Sequence, residues 1–215
     1  ISVSYRVTRM DRVINVAKNA NIFPLIELFS KNHKILIGGS TWEREDELLT
    51  RFINEQSPEN ARYIIAPHEI RDSKIRKLEQ HIQKKVLRYS EATEEKIRHA
   101  EVLIIDSIGI LSQIYRYGDV ALIGGGFTDG IHNILEPSVY GLPVIFGPNY
   151  KKFQEAHDLL LRQSAFVIKK QIHFNKIAHK LLTDDQYRDT LSTRSSDYVF
   201  RSSGATGVIM KTVFE

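Results

Sequence analysis

The residues best suited to chemistry lie where an apolar run breaks into glycine. Val120-Ala121-Leu122-Ile123 leads directly into Gly124-Gly125-Gly126-Phe127-Thr128-Asp129-Gly130, followed by Ile131-His132-Asn133-Ile134-Leu135-Glu136-Pro137. A buried strand, a glycine loop and a helix N-terminus in that order let bare backbone amides and the helix dipole face a phosphate. A nucleotide suits this pattern. The spacing matches neither common phosphate fingerprint: Gly124, Gly126 and Gly130 give G-x-G-x-x-x-G, Phe146-Gly147-Pro148 offers no acid to a ribose, and no Gly-Lys-Ser/Thr follows. The alternative is three glycines that make a tight turn and let a helix pack closely. Further on, Tyr140-Gly141-Leu142-Pro143-Val144-Ile145-Phe146-Gly147-Pro148 reads as a helix stop, a buried strand and a second loop. Gly124 to Gly126 and Gly147 to Asn149 should then reach one crevice, with Glu136 on the intervening helix placed to bond a ribose diol.

Two other strand ends carry candidate chemistry. Gly38-Gly39-Ser40-Thr41 precedes the acids Glu43, Glu45, Asp46 and Glu47. This suits an anion site or simply an N-cap with a dipole-matched first turn. If capping alone operates, Ser40→Ala should cost about 1 kcal/mol. Ala66-Pro67-His68-Glu69 sets a His beside a Glu, which fits acid–base work, a metal ligand or ordinary polar loop chemistry. His132 and Glu136, four apart, make two metal ligands without a third, and no metal is expected.

These residues need elements to hold them. Short β-branched runs alternate with longer amphipathic stretches, so the expected fold is a doubly wound, Rossmann-like α/β domain with a parallel sheet. Strands are expected at 34–37, 62–66, 86–89, 102–105, 120–123, 143–146 and 166–168. Helices are expected at 12–19, 24–30, 43–54, 73–85, 109–115, 133–140, 153–163, 172–182, 185–198 and 205–212. No repeat, linker or composition break divides the chain, so 1–215 reads as one domain with a helical lead-in at 1–33 and a C-terminal helix in 200–215. The opening Ile1-Ser2-Val3-Ser4 is β-rich and lacks an initiator Met, as in a domain cut from a longer protein.

Composition narrows the class. A chain of 215 residues, 42% hydrophobic and 26% charged, can bury a full core, and no apolar stretch reaches membrane-span length. The absence of cysteine excludes disulfides and thiolate chemistry and suits a reducing compartment. The net charge of +4 permits a polyanionic partner without indicating one. Arg71, Lys74, Arg76, Lys77, Lys84, Lys85 and Arg88 make either a solvated helix face or a surface for anionic headgroups. They lack the interleaved aromatics of a nucleic-acid binder.

The segments Asp106-Ser107-Ile108-Gly109, Tyr115, Asp119, Gly124-Gly125-Gly126, His132-Asn133-Ile134-Leu135-Glu136-Pro137, Gly141-Leu142-Pro143-Val144, Phe146-Gly147-Pro148 and Phe153-Gln154-Glu155-Ala156 together resemble the 3-deoxy-D-manno-octulosonic acid (Kdo) transferase family. Gly39-Ser40-Thr41 with Glu45 or Glu47 is similar to that family's Ser-Thr-acidic segment, and Thr8-Arg9-Met10-Asp11-Arg12-Val13 to its Thr-Arg-Phe-Asp-Arg-Val lead-in. The likeness covers most of residues 8–160.

The resemblance implies the C-terminal half of a two-domain B-type glycosyltransferase in lipopolysaccharide biosynthesis. The N-terminal half would hold the lipid A precursor and the general base, so no catalytic residue is expected in this chain. The family transfers Kdo from CMP-Kdo with inversion, without a metal or other cofactor, at the cytoplasmic face of the bacterial inner membrane. By position, Gly124, Gly125, Gly126 and Asn133 would hold the phosphate and Glu136 the ribose. Ile108 and Gly109 would border the base, with Ser40, Thr41, His68 and His132 completing the donor site. Departures are an Ala66-Pro67-His68 where relatives carry Arg-His-Pro, Ile131 for a glycine, Gly126 for a serine, and Arg6-Val7 for Gly-Asp. The missing Arg removes an anion clamp for which Arg62 and Arg71 are candidate replacements. Competing functions are a UDP-sugar transferase or epimerase domain and a non-catalytic nucleotide-binding domain.

Overall fold

Residues buried on both faces of a parallel sheet must be apolar at every position, and each continuous apolar run forms a strand. The computed structural model describes residues 2–203, with side chains from Arg9 onward. The strands are β1 (Lys34–Thr41), β2 (Ala61–Pro67), β3 (Val86–Arg88), β4 (Val102–Ile104), β5 (Val120–Ile123), β6 (Val144–Phe146) and β7 (Ala165–Val167). They form one sheet in the order β3-β4-β2-β1-β5-β6-β7, with every pair parallel. The helices are α1 (Ser2–Lys18), α2 (Pro24–Ser30), α3 (Glu43–Glu55), α4 (Asp72–His81), α5 (Glu94–His99), α6 (Leu111–Ile114), α7 (Leu135–Val139), α8 (Gln154–Leu161), α9 (Gln171–Thr183) and α10 (Asp185–Arg201).

Strand alternation divides the core into two layers. Ile35, Ile37, Ala121 and Ile123 face one way and pack with Met10, Phe29, Leu135, Leu159 and Val199 from the flanking helices. Leu36, Val120 and Leu122 face the other way, against Leu48 and Phe52 of α3, Leu78 of α4 and Phe174 of α9. Both faces are covered, as a doubly wound sheet requires. After β1 the sheet grows to one side through β2, β4 and β3, then returns to set β5 on the other flank of β1. The carboxyl ends of β1 and β5 therefore bound a topological switch point, where open α/β sheets bind ligands.

Several expectations are corrected. β1 runs on to Thr41, because Gly38 and Gly39 pair with Ile65 and Ala66 of β2 and with Leu122 and Ile123 of β5. These glycines are strand rather than loop. The β-rich opening is helical instead: residues 2–18 form α1, whose continuation buries Met10, Val13 and Ile14, and this packing overrides β propensity. α4 stops at His81 because Asn54 takes over the backbone there, its Nδ2 donating to His81 O at 2.9 Å and its Oδ1 accepting from Gln83 N at 2.9 Å. α5 was not expected; Thr93 caps it, its Oγ1 accepting from Lys96 N at 3.3 Å. α6 starts at Leu111 rather than Gly109, and α7 at Leu135 rather than Asn133. The expected helix at 205–212 lies outside the described residues. No described helix is long and apolar enough to cross a membrane.

Candidate functional site

The glycine loop sits at the switch point and is fastened to β1. Gly124 N donates to Gly39 O at 2.9 Å, and the loop closes on itself through Thr128 N and Gly130 N, which donate to Gly125 O at 3.0 and 3.1 Å. Gly125 has φ of +84°, and a Cβ there would come within 2.3 Å of Gly130 O. Glycine is thus required by the turn itself. A valine at this position would break the turn before it obstructed any ligand. The loop after β6 meets this one as expected from sequence: Asn149 N donates to Gly126 O at 2.9 Å and Asn149 Nδ2 to Thr128 O at 2.6 Å. Among the described residues, no protein acceptor takes the amides of Gly125 and Gly126, although both glycines are buried. Successive free amides around a positive-φ glycine form a concavity suited to an anion.

Glu136 lies at the start of α7 and lines a cavity of about 200 Å³ with Arg9, Arg12, Ser112 and Asn133. Asn133 orders this end, its Oδ1 accepting from Leu135 N at 3.2 Å and its Nδ2 donating to Glu136 Oε1 at 3.0 Å. Burial pushes the Glu136 carboxyl up, against the downward pull of Asn133, Arg12 and Arg9. Arg9 is itself held by the buried Glu155, at 2.8 Å. Two segments of the sequence resemblance, the lead-in and the Phe153-Gln154-Glu155-Ala156 run, therefore meet at this cavity's edge. Ile108 is 89% exposed and Gly109 has φ of +91°, on the loop that leads to Ser112.

The β1 end is built differently from the expected cap. Ser40 sits on a bulge with φ of +50°, and the N-cap of α3 is Trp42, whose backbone N donates to Glu45 Oε2 at 3.2 Å. Glu45→Ala should therefore cost about 1 kcal/mol or more, while Ser40→Ala should change stability by less than about 0.5 kcal/mol, as urea titrations of the two variants would reveal. Glu45 is fully buried, its carboxyl raised by that burial, and it also faces the Phe127 amide of the glycine loop.

Thr41 and Asp46 are buried beneath this bulge. Burial raises the Asp46 carboxyl from 3.8 to about 6, with the Thr41 hydroxyl and Lys74 pulling downward. Between those values the folded chain keeps a proton that the unfolded chain releases, so stability falls as pH rises from about 3.8 to about 6. Asp46→Asn should flatten that slope and raise neutral-pH stability by on the order of 1–2 kcal/mol, read from denaturant melts across this range. Asp46 also lines a larger groove, about 820 Å³, between α3 and α4.

His68 and His132 converge on Trp42, which sequence reasoning had not singled out. The Trp42 and His68 rings stack with centroids 4.5 Å apart, and those of His68 and His132 with centroids 4.6 Å apart. His132 Nε2 accepts from Trp42 Nε1, and Glu136 Oε1 accepts from Asn133 Nδ2. Arg62 does not replace the missing anion clamp, since its guanidinium donates to Phe29 O and Arg98 O, both at 2.9 Å. The basic stretch from Arg71 to Arg88 is largely neutralised: Arg76 and Arg88 pair with Asp72, Arg88 with Glu79, Lys77 with Glu43 and Lys84 with Glu101. This is the solvated-face reading of that segment.

No family model matches the chain. Among curated proteins, the 3-deoxy-D-manno-octulosonic acid transferase of Aquifex aeolicus is 29% identical over 137 residues, 61% of this chain and 37% of that protein. The transferase of the same name from Chlamydophila psittaci is 31% identical over 139 residues, 63% of this chain and 31% of that protein. Both of these relatives are Kdo transferases by name, and the sequence likeness of this chain is to them. The chain spans about a third of the length of these Kdo transferases. A bifunctional glycosyltransferase/methyltransferase of Fusobacterium nucleatum is also 29% identical, over 149 residues, 67% of this chain and 23% of that protein. Among solved structures, the C-terminal CMP-Kdo binding domain of WaaA from Acinetobacter baumannii superposes with a TM-score of 0.70 at 21% identity, covering 88% of this chain and 98% of that one. HepE of Anabaena, solved with UDP-glucose, gives 0.61 at 13% identity, covering 88% of this chain and 50% of that one. The chain therefore has the Rossmann-like α/β fold that these structures share.

Proposed function

We propose that this chain is the donor-binding domain of a Kdo transferase, which moves Kdo from CMP-Kdo to a lipid A precursor with inversion. The observation that carries the reading is the pair of unpaired, buried amides of Gly125 and Gly126 at the β1/β5 switch point, in a chain whose curated relatives are Kdo transferases. In this reading the phosphate of the donor lies against those amides and near Asn133. The ribose reaches Glu136 in the adjoining cavity, and the base rests along Ile108 and Gly109. Ser40, Thr41 and His68 border the same edge of the sheet. The general base and the lipid acceptor site belong to a further domain, which would work at the cytoplasmic face of the inner membrane. Donor binding needs no metal or cofactor.

Calorimetric titration of the chain with CMP, with UMP and NAD as controls and EDTA throughout, tests this. Binding of CMP in preference to UMP is the expected result. A preference for UMP would transfer the reading to a UDP-sugar transferase or epimerase. Binding without turnover, once the chain is joined to its transferase partner domain, would favour a non-catalytic nucleotide-binding domain. CMP binding that is absent in this series but appears in a parallel titration without EDTA would overturn the metal-independent part.

A further inference from the structure

Trp42 follows β1, His68 follows β2 and His132 follows the glycine loop, so the three stacked rings come from three separate segments. The planes of the indole and the His132 imidazole are almost parallel, at 6°, with centroids 6.5 Å apart. Trp42 Nε1 is 3.0 Å from His132 Nε2, and the His68 ring stacks with both. An indole nitrogen can only donate. His132 Nε2 must therefore present a lone pair, which leaves the ring's proton on Nδ1. An imidazolium would set one N–H against another and break the bond.

We propose that Trp42 is a positioning residue that holds His132 neutral with its proton on Nδ1, so that the ring meets a ligand at the glycine loop as a fixed hydrogen-bond donor. The role of that donor rests on the nucleotide reading above, whereas the tautomer itself does not. The ring is tied to the loop, since His132 N donates to Gly124 O at 3.0 Å. Among the described residues His132 Nδ1 has no protein partner, so its proton is available. The surroundings favour the neutral ring as well. Burial and then the neighbouring His68 both lower the His132 pKa, and Lys74 adds a cation 5.5 Å above the Trp42 ring. A neutral donor keeps the same proton on offer across the pH range in which a free histidine would switch charge.

The chain holds one tryptophan, so its indole resonance identifies itself. In ¹⁵N-labelled chain without ligand, a scalar coupling between Trp42 Nε1 and His132 Nε2 is expected, together with a long-range ¹H–¹⁵N pattern that places the His132 proton on Nδ1. Both should persist from about pH 8 to about pH 6. Trp42→Phe keeps a ring for His68 to stack on but removes the donor. It should raise the His132 titration midpoint, shift the proton toward Nε2, and make CMP affinity more pH-dependent over the same range. A wild-type His132 with its proton on Nε2, or no coupling to the indole, would overturn the proposal. If Trp42→Phe fails to fold, the wild-type coupling decides alone. Adding CMP should move the His132 Nδ1 resonance, and an unmoved resonance in a chain that binds CMP would overturn the donor role. If CMP does not bind, the nucleotide reading fails while the coupling still decides the tautomer.

Discussion

Glu136→Ala is expected to weaken CMP binding by about 10- to 100-fold, the equivalent of roughly 1.5–3 kcal/mol for hydrogen bonds to a charged group. The thermal midpoint should stay within about 3 °C of the parent, because the substitution removes no apolar packing and a chain of this size shifts by about 2–4 °C per kcal/mol. The carboxylate faces a cavity rather than the core, where Arg9, Arg12, Ser112 and Asn133 are its polar neighbours and Val13, Val16 and Val139 complete the lining. Burial already holds its pKa above the usual carboxylate range, so the ionised group is a mild liability to the free fold. A ligand that donates two hydroxyl hydrogen bonds would use what the fold pays to keep there. Glu136→Gln retains an acceptor and should fall between parent and alanine. Equal CMP affinity in all three proteins, measured by calorimetry, would remove Glu136 from the ribose site.

Much of this arrangement was legible because a parallel sheet writes its strands as uninterrupted apolar runs. Val120-Ala121-Leu122-Ile123 has no polar residue to misplace, and its bounds coincide with β5. Helices with a wide buried stripe, such as α3 with Leu48, Leu49, Phe52 and Ile53, were equally plain. α5 escaped because six residues with one buried side chain, Ile97, carry no period, even though Thr93 followed by Glu94 and Glu95 is a good capping sequence. The glycines before Ser40 misled for a different reason. Gly38 and Gly39 are strand residues with close neighbours on the sheet, and the turn that follows comes from the bulge at Ser40, which sequence does not mark as such. The ring stack was illegible in principle, since Trp42 and His132 are 90 positions apart and only the pairing of β1 with both β2 and β5 brings their loops together. Its one signal was positional: each ring follows closely after a strand or the glycine loop.

Gly124→Ala should be far more damaging to the fold than any substitution at Glu136. A Cβ at Gly124 would lie 1.9 Å from Ser40 O, 2.6 Å from Ser40 C and 2.8 Å from Thr41 Cα. Every one of these atoms is backbone of β1, so no side chain can turn aside. The added methyl can be accommodated only by parting β1 from β5 at its carboxyl end, which gives up the Gly124 N to Gly39 O bond and the Gly39–Ile123 pairing. A loss above about 4 kcal/mol is expected, a large share of the total stability of an ordinary domain. Gly118→Ala is the contrasting case, since its Cβ would press on Ile37 Cδ1 at 2.7 Å and Leu142 Cδ2 at 2.9 Å, both ends of flexible side chains. Repacking there should hold the cost to about 1–3 kcal/mol. Urea melts of the two variants separate the cases: comparable midpoints would mean that the β1–β5 junction yields as easily as a leucine side chain. The glycine loop could not then owe its placement to rigid contact with β1. The expected gap between them would instead show that Gly124 is fixed by the sheet. The free amides of Gly125 and Gly126 would then be held at the switch point before any ligand arrives.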